Sequence, residues 1–254
     1  MSAHILLTFD VEEFDIPMEY NIPMEASLQL SIGKAGLDAI EPILNEVPTT
    51  LFTTANFAAN FPNDIRRLAA AHEIASHTYY HGAFEEKDLL LSRLKLEEIT
   101  GKPVTGLRMP RMRPIGMNAV KNAGYQYDSS INPTFLPGKY NNLHLSRTIY
   151  QAEGMTRLPA SVSPILRIPL FWLSFKNMPY WLFKSLCIKT LRQDGYLCLY
   201  FHPWEFTPIN QFNIPVFTRR WCGPMLVNRL CRLIADLKKE GTFIPVNQLP
   251  ALNL

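Results

Sequence analysis

The chain has 254 residues, 47% of them apolar and 19% charged, and a formal charge of +3. That is enough apolar material for a large buried core, which excludes a disordered or low-complexity chain. Lysines and arginines are scattered rather than massed, so nucleic acid is not expected as a partner.

The N-terminus, "MSAHILLTFDVEEFD", enters a strand-like run at once, without the basic region, long apolar region and cleavage site of a secretory signal. Cys187, Cys198, Cys222 and Cys231 show no metal-knuckle or redox spacing. Together these features predict a cytoplasmic protein with reduced thiols. "HILLTFDV" (4–11) reads as a buried strand, residues 33–45 as a helix, and "TTLFTTA" (49–55) as a second strand. A helix near 63–71 with Asn63 as its cap follows, then the short strand "EIAS". The spacing predicts a helix over 85–99 closed by Gly101, a strand at "PVTGLRM" (103–109), a helix over 116–123 ended by Gly124, and a strand at "YQYDSS". Long loops are expected over 132–178. A helix from Pro179 to about Arg192, the strand "GYLCLYFH" (195–202), a helix near 224–239 and a last strand "TFIPV" complete the order.

The most apolar stretch, 162–188, is broken by Arg167, Lys176, Lys184 and three prolines. It falls short of the roughly 18 uninterrupted apolar residues a spanning helix needs. Phe171, Trp172, Tyr180 and Trp181 lie near its lysines, which leaves buried packing, a dimer contact or docking on a membrane surface open.

Alternating strands and helices imply a single α/β domain with parallel strands, as a barrel or an open doubly wound sheet, and chemistry at the C-terminal strand ends. Candidate residues gather there. Asp10, Glu12 and Glu13 end the first strand, and His77 and His81 follow the third; Arg108, Asp128 and His202 end later ones. On a helical turn, His77 and His81 would share a face and reach one cation, with a carboxylate from 10–13 as third ligand. A bare H-x-x-x-H by itself reads more readily as two surface histidines without a metal; the acids at the first strand end shift that balance.

"LTFDVEEF", "HEIASHTYYH", "GLRMPR", "GYQYDSS" and "LYFHPWEF" follow one another across residues 6–206. In these strings the chain resembles the polysaccharide deacetylases (carbohydrate esterase family 4, nodulation-protein-like), most closely the exosortase-associated branch. The resemblance implies a distorted, incomplete (β/α) barrel of seven or so parallel strands. It implies a hydrolase removing an N-acetyl group from an amino sugar with one divalent metal ion, zinc first, nickel or cobalt as alternatives. His77 and His81 are then metal ligands, Asp10 the base, Arg108 its holder and His202 the general acid. Many members carry adjacent aspartates in the first motif. Here Asp10-Val11-Glu12-Glu13 points to Glu12 as third ligand, since i and i+2 share a strand face, with Glu13 the substitute if the backbone bends.

Asp128 is expected to orient His202 or to cap a turn, and Tyr80 and Trp204 to line the sugar site. Arg111 stands where the family often has an aromatic, which suggests an anionic substrate. A cytoplasmic member would act on a lipid- or nucleotide-linked precursor, at or near the inner face of the membrane. A deformylase, a cyclic-amide hydrolase and an inactive carbohydrate-binding protein are the competing readings.

Overall fold

The computed structural model describes residues 3–252. In chain order it holds β1 (His4–Val11), α1 (Ala26–Ala39), α2 (Glu41–Leu44), β2 (Thr50–Thr53), α3 (Ala55–Asn60), α4 (Pro62–Leu68), β3 (Glu73–Ser76) and α5 (Lys87–Thr100). Next come β4 (Gly106–Leu107), α6 (Met117–Asn122), β5 (Tyr127–Asp128), the hairpin β6 (Phe135–Leu136) and β7 (Tyr140–Asn141), then β8 (Tyr150–Ala152) and β9 (Met155–Arg157). The chain finishes with α7 (Trp172–Asn177), α8 (Tyr180–Asp194), β10 (Tyr196–Phe201), α9 (Val216–Arg219), α10 (Pro224–Leu237) and β11 (Thr242–Phe243).

One curled sheet runs β10-β1-β2-β3-β4-β5-β9-β8, with β11 also paired to β1. Every pairing in it is parallel except β8 with β9. Just past β9, Ser161 N donates to Cys198 O of β10 at 2.9 Å, so the curl comes most of the way round. This is the incomplete, distorted barrel expected from the motifs.

Side-chain alternation sorts the strands into two layers. Ile5, Leu7, Phe9 and Val11 pack outward in the core shared with the helices. Leu6 belongs to the inner cluster with Phe52, Ala75, Tyr127 and Cys198. Continuing that register carries Thr8, Asp10 and Glu12 along the inner face of β1, and His202 along that of β10.

Several element boundaries differ from the sequence reading. The first helix begins at Ala26, not residue 33, and breaks at Ile40 before Pro42. The cap of α4 is Phe61, with Pro62 in the first turn; Asn63 instead accepts from Arg66. Strands β4 and β5 are only two residues long. Within 132–178 there are four short strands and α7 rather than loops alone, and β9 joins the main sheet. No helix among the described residues is long and apolar enough to cross a membrane.

Candidate active site

His77 and His81 do not lie on a helix. They flank a loop turned sharply by Thr78, whose φ of 63° is costly for a β-branched residue. The loop is pinned by Ala55 N to Thr78 O (3.0 Å) and Asn56 N to Tyr79 O (2.9 Å) at the start of α3. The two imidazoles stack with ring centroids 5.7 Å apart. Both Nε2 atoms face one oxygen, Glu12 Oε2, at 3.0 and 3.1 Å.

The other ring nitrogens set the tautomers. His77 Nδ1 donates to the backbone carbonyl of Arg108 (2.8 Å), an acceptor only, so its Nε2 is left with a lone pair. His81 Nδ1 lies 2.8 Å from Asp15 Oδ1, which favours the proton on that nitrogen too. Two lone pairs and a carboxylate oxygen, all buried, therefore converge. That donor set is repulsive unless a cation sits among it, and Glu12, His77 and His81 form a cluster whose ligand atoms lie within 4.8 Å of one another. In the protein without metal, Glu12 and His81 shift each other's ionisation instead. Burial raises the carboxyl of Glu12, but His81, His202 and His77 pull it far below the usual range. Burial lowers His81, and Glu12 and Asp15 more than restore it, for a net rise. Trp204 Nε1 donates to Glu12 Oε1 (3.0 Å) and fixes the carboxylate's orientation. Glu13 points elsewhere, accepting from Thr54 Oγ1 (2.7 Å) and Asn56 Nδ2 (2.5 Å).

Asp10 stands next to this cluster. Its Oδ1 accepts from Arg108 Nη1 at 2.7 Å, and Arg108 is wholly buried, held also by Thr8, by Ser129 and by the Phe52 ring 4.0 Å away. Arg108 thus grips Asp10 with its guanidinium and His77 with its carbonyl. His202 Nε2 lies 3.9 Å from Asp10 Oδ2. Its ring stacks on Trp204, centroids 5.0 Å apart, and its Nδ1 donates to Glu205 Oε1 at 3.0 Å. Burial pushes the His202 pKa down, but Glu12, Glu205 and Asp10 outweigh it and the net shift is upward.

A cavity of about 320 Å³ opens above these groups, walled by Tyr20, Met112, Tyr140, Phe171, Trp172, Tyr200 and Phe217 among others. Phe171 and Trp172, read from the sequence as candidates for docking or packing, face this cavity.

Three expected site residues sit differently. Asp128 does not meet His202: alternation in β5 turns Tyr127 and Ser129 inward and Asp128 away. It pairs with Arg157 Nε (2.8 Å) and caps the turn by accepting from Ser130 N and Oγ. Tyr80 lies outside the cavity, in a separate groove along α5. Trp204 is fully buried behind Glu12 and His202 and is not among the lining residues. Arg111 does line the cavity, but its charge is already met by Asp15 (2.8 Å) and Glu19 (2.6 Å), which weakens the case for an anionic substrate. The sequence reading missed Glu205, Asp15 and Trp172. Glu205 stands within the motif "LYFHPWEF" and Asp15 directly after "LTFDVEEF", three residues beyond His202 and Glu12 respectively, and the signal was their proximity to those residues.

Residues 3–127 match the family model described as polysaccharide deacetylase. Among solved structures, a Mycobacterium smegmatis protein described as a polysaccharide deacetylase is 20% identical, with 93% of this chain and 84% of that one covered and a TM-score of 0.62. The Puue allantoinase is 18% identical over 98% of this chain and 89% of that one, TM-score 0.65. A family 4 carbohydrate esterase pseudoenzyme from Bacillus anthracis is 11% identical over 98% and 65%, TM-score 0.52. At such identities these likenesses speak to the fold. No curated protein matches the chain. Residues 3–127, just under half of the chain, are thus similar to the polysaccharide deacetylase family.

Proposed function

We propose that this protein is a metal-dependent hydrolase that removes an N-acetyl group from an amino sugar. The observation that carries the reading is the meeting of two imidazole Nε2 atoms and one carboxylate oxygen beside Asp10 and His202. Glu12, His77 and His81 would hold a divalent cation, zinc first and nickel or cobalt next, whose Lewis acidity polarises an amide carbonyl and acidifies water.

The chain's own groups do the rest. Asp10, its rotamer locked by Arg108, accepts the proton of the attacking water. His202, whose pKa Glu12, Glu205 and Asp10 raise against the effect of burial, presents Nε2–H toward the cavity and donates it to the departing amine, without which C–N cleavage stalls. Trp204 and Glu205 hold the two halves of the site in register from behind.

A cavity of about 320 Å³ is at the small end of ligand sites. This size supports a sugar entering by its end, as in a lipid- or nucleotide-linked precursor, over the interior of a polymer. It equally favours a second reading, hydrolysis of a formamide or small cyclic amide.

A panel of N-acetyl and N-formyl amino sugars and cyclic amides, assayed with zinc, nickel or cobalt, separates these readings by the acid or ring-opened product released. The expected pattern is that His77→Ala loses metal and turnover together, while His202→Ala keeps metal and loses turnover by roughly two to four orders of magnitude. A fully active His202→Ala protein, or no product from any amide with metal bound, would overturn the proposal.

A further inference from the structure

Asn132 stands in the loop that leads from β5 to the β6–β7 hairpin. Its backbone carbonyl holds the base of that hairpin, accepting from Thr134 N (2.9 Å) and Asn142 Nδ2 (3.2 Å). The side chain takes no part in this. It is wholly buried, yet neither Oδ1 nor Nδ2 has a hydrogen-bond partner among the described residues. A buried carboxamide left unpaired is costly, and the turn does not need it, since its own bonds run through the backbone. An apolar side chain of the same size would avoid that cost.

The carboxamide lies against the cavity wall. Its neighbours are the phenols of Tyr140 and Tyr200, both of which line the cavity. Burial pushes the two phenols up, Tyr140 to about 12, and the carboxamide beside them works in the opposite sense. Both therefore stay neutral hydroxyls, able to donate and to accept. The Tyr200 ring is held in place by the Arg108 guanidinium at 5.3 Å and the Phe171 ring at 5.6 Å.

Strand order fixes where this trio stands. Tyr200 lies two residues before His202 on the same face of β10, their ring centroids 6.1 Å apart. Ala160 N donates to Ile131 O (2.8 Å) and Ser161 N to Cys198 O (2.9 Å), which sets the Asn132 loop beside β10. Glu12, His77 and His81 come from the ends of β1 and β3, which flank β2 on the opposite side of the curled sheet. An amide whose carbonyl faces those three donors and whose nitrogen faces His202 directs the rest of the leaving amine toward Asn132, Tyr140 and Tyr200.

We infer that these three residues form the subsite that selects the leaving amine, and that they select it for hydroxyl groups on the ring bearing the nitrogen. The inference rests on the amino-sugar reading of the site and names the part of it that recognises the sugar. A hydroxyl donates and accepts at once, as does each member of the trio, so hydroxyls around one ring can be matched together. A hydroxyl-free amide would leave the carboxamide buried and unpaired, and a site of this kind discriminates against it.

Calorimetric titration in chelator reads binding apart from turnover. N-acetylglucosamine, N-acetylgalactosamine and N-acetylmannosamine are compared with N-acetylcyclohexylamine, which has the same ring size and no hydroxyl. At least one sugar is expected to bind at least about tenfold more tightly than the hydroxyl-free amide. Asn132→Leu is expected to lower that ratio at least about fivefold, with zinc content unchanged and a melting temperature no lower than native. Tyr140→Phe, which removes a single oxygen, should lower the ratio in the same direction and decides the matter should Asn132→Leu not fold. The inference is overturned if no sugar is preferred, or if the folded variants keep the native ratio. A protein that shows this preference but releases no acetate when zinc is restored would refute the proposed hydrolysis alone, whereas turnover of amino sugars without the preference would sink the subsite alone.

Discussion

Behind His202 stand a carboxylate and an ammonium that solvent does not reach. Glu205 accepts from the ring through Oε1, and its Oε2 lies 2.8 Å from Lys176 Nζ. Lys176 in turn donates to Thr218 O (2.8 Å) and lies over the Trp172 ring. Glu205→Gln would keep a partner for Nδ1 and remove the negative charge. The His202 pKa, raised in part by that charge, would fall back toward its ordinary 6.5, so the acid form would be lost at lower pH. The alkaline limb of the pH–rate profile is expected to move down, with kcat lowered about ten- to a hundredfold and KM and bound metal unchanged. A profile that does not move would make Glu205 a packing residue. At this scale, polar residues ending buried runs were legible, because a charged group has no other reason to follow "HILLTF" or "LCLYF". Their partners were not. Whether Trp204 walls the sugar or supports Glu12, and whether Asp128 or Glu205 faces His202, depends on β5 parity and on a one-turn cap.

Helix α1 shows what the elements contribute. A Cβ on Gly33 would stand 2.4 Å from the carbonyl oxygen of Glu12, and one on Gly36 would stand 2.4 Å from the carbonyl of Pro203. Both are backbone, which cannot yield as a flexible side chain does. The bare face of α1 thus lets the helix lie directly on the two segments that carry Glu12 and His202. Gly36→Ala is expected to destabilise the protein by about 1–3 kcal/mol through overpacking and to lower turnover by shifting Pro203–Trp204 against Glu12. Thermal melting and kcat check this; a variant with native values for both would show that the contact relaxes freely. The periodic helices and longer strands were readable from apolar spacing. The start of α1 was hidden because Ser27, Gln29 and Ser31 dilute the pattern. The short strands of 132–178 carry too few residues for any period, and only their pairing with β5 and with each other defines them.

Over the whole molecule, protonation and metal binding pull stability in opposite directions. Glu205 and Asp15 are held below their ordinary 4.5 and 3.8, against the opposing effect of burial, by Lys176 and His202 and by His81 and Arg111 respectively. Groups lowered on folding stabilise above those values, and the contribution disappears as pH falls through the depressed ones. His81 and His202 are raised above 6.5, so what they contribute is complete below 6.5 and is lost as pH climbs through their folded values. For these four groups the metal-free protein is therefore best served between about pH 4.5 and 6.5, and the melting temperature in chelator should decline above that window. A cation at Glu12, His77 and His81 needs neutral imidazoles, so its affinity strengthens as the protons leave. Melting curves with chelator and with zinc should accordingly diverge as pH rises, by about 2.7 kcal/mol once the free metal exceeds its dissociation constant a hundredfold. Curves that coincide at every pH would mean that no cation binds where the three donors meet. His77→Ala provides the internal control, since it should abolish the divergence while keeping the share of the acid limb that belongs to Glu205 and Asp15; only the part from Glu12, which His77 helps to depress, should shrink.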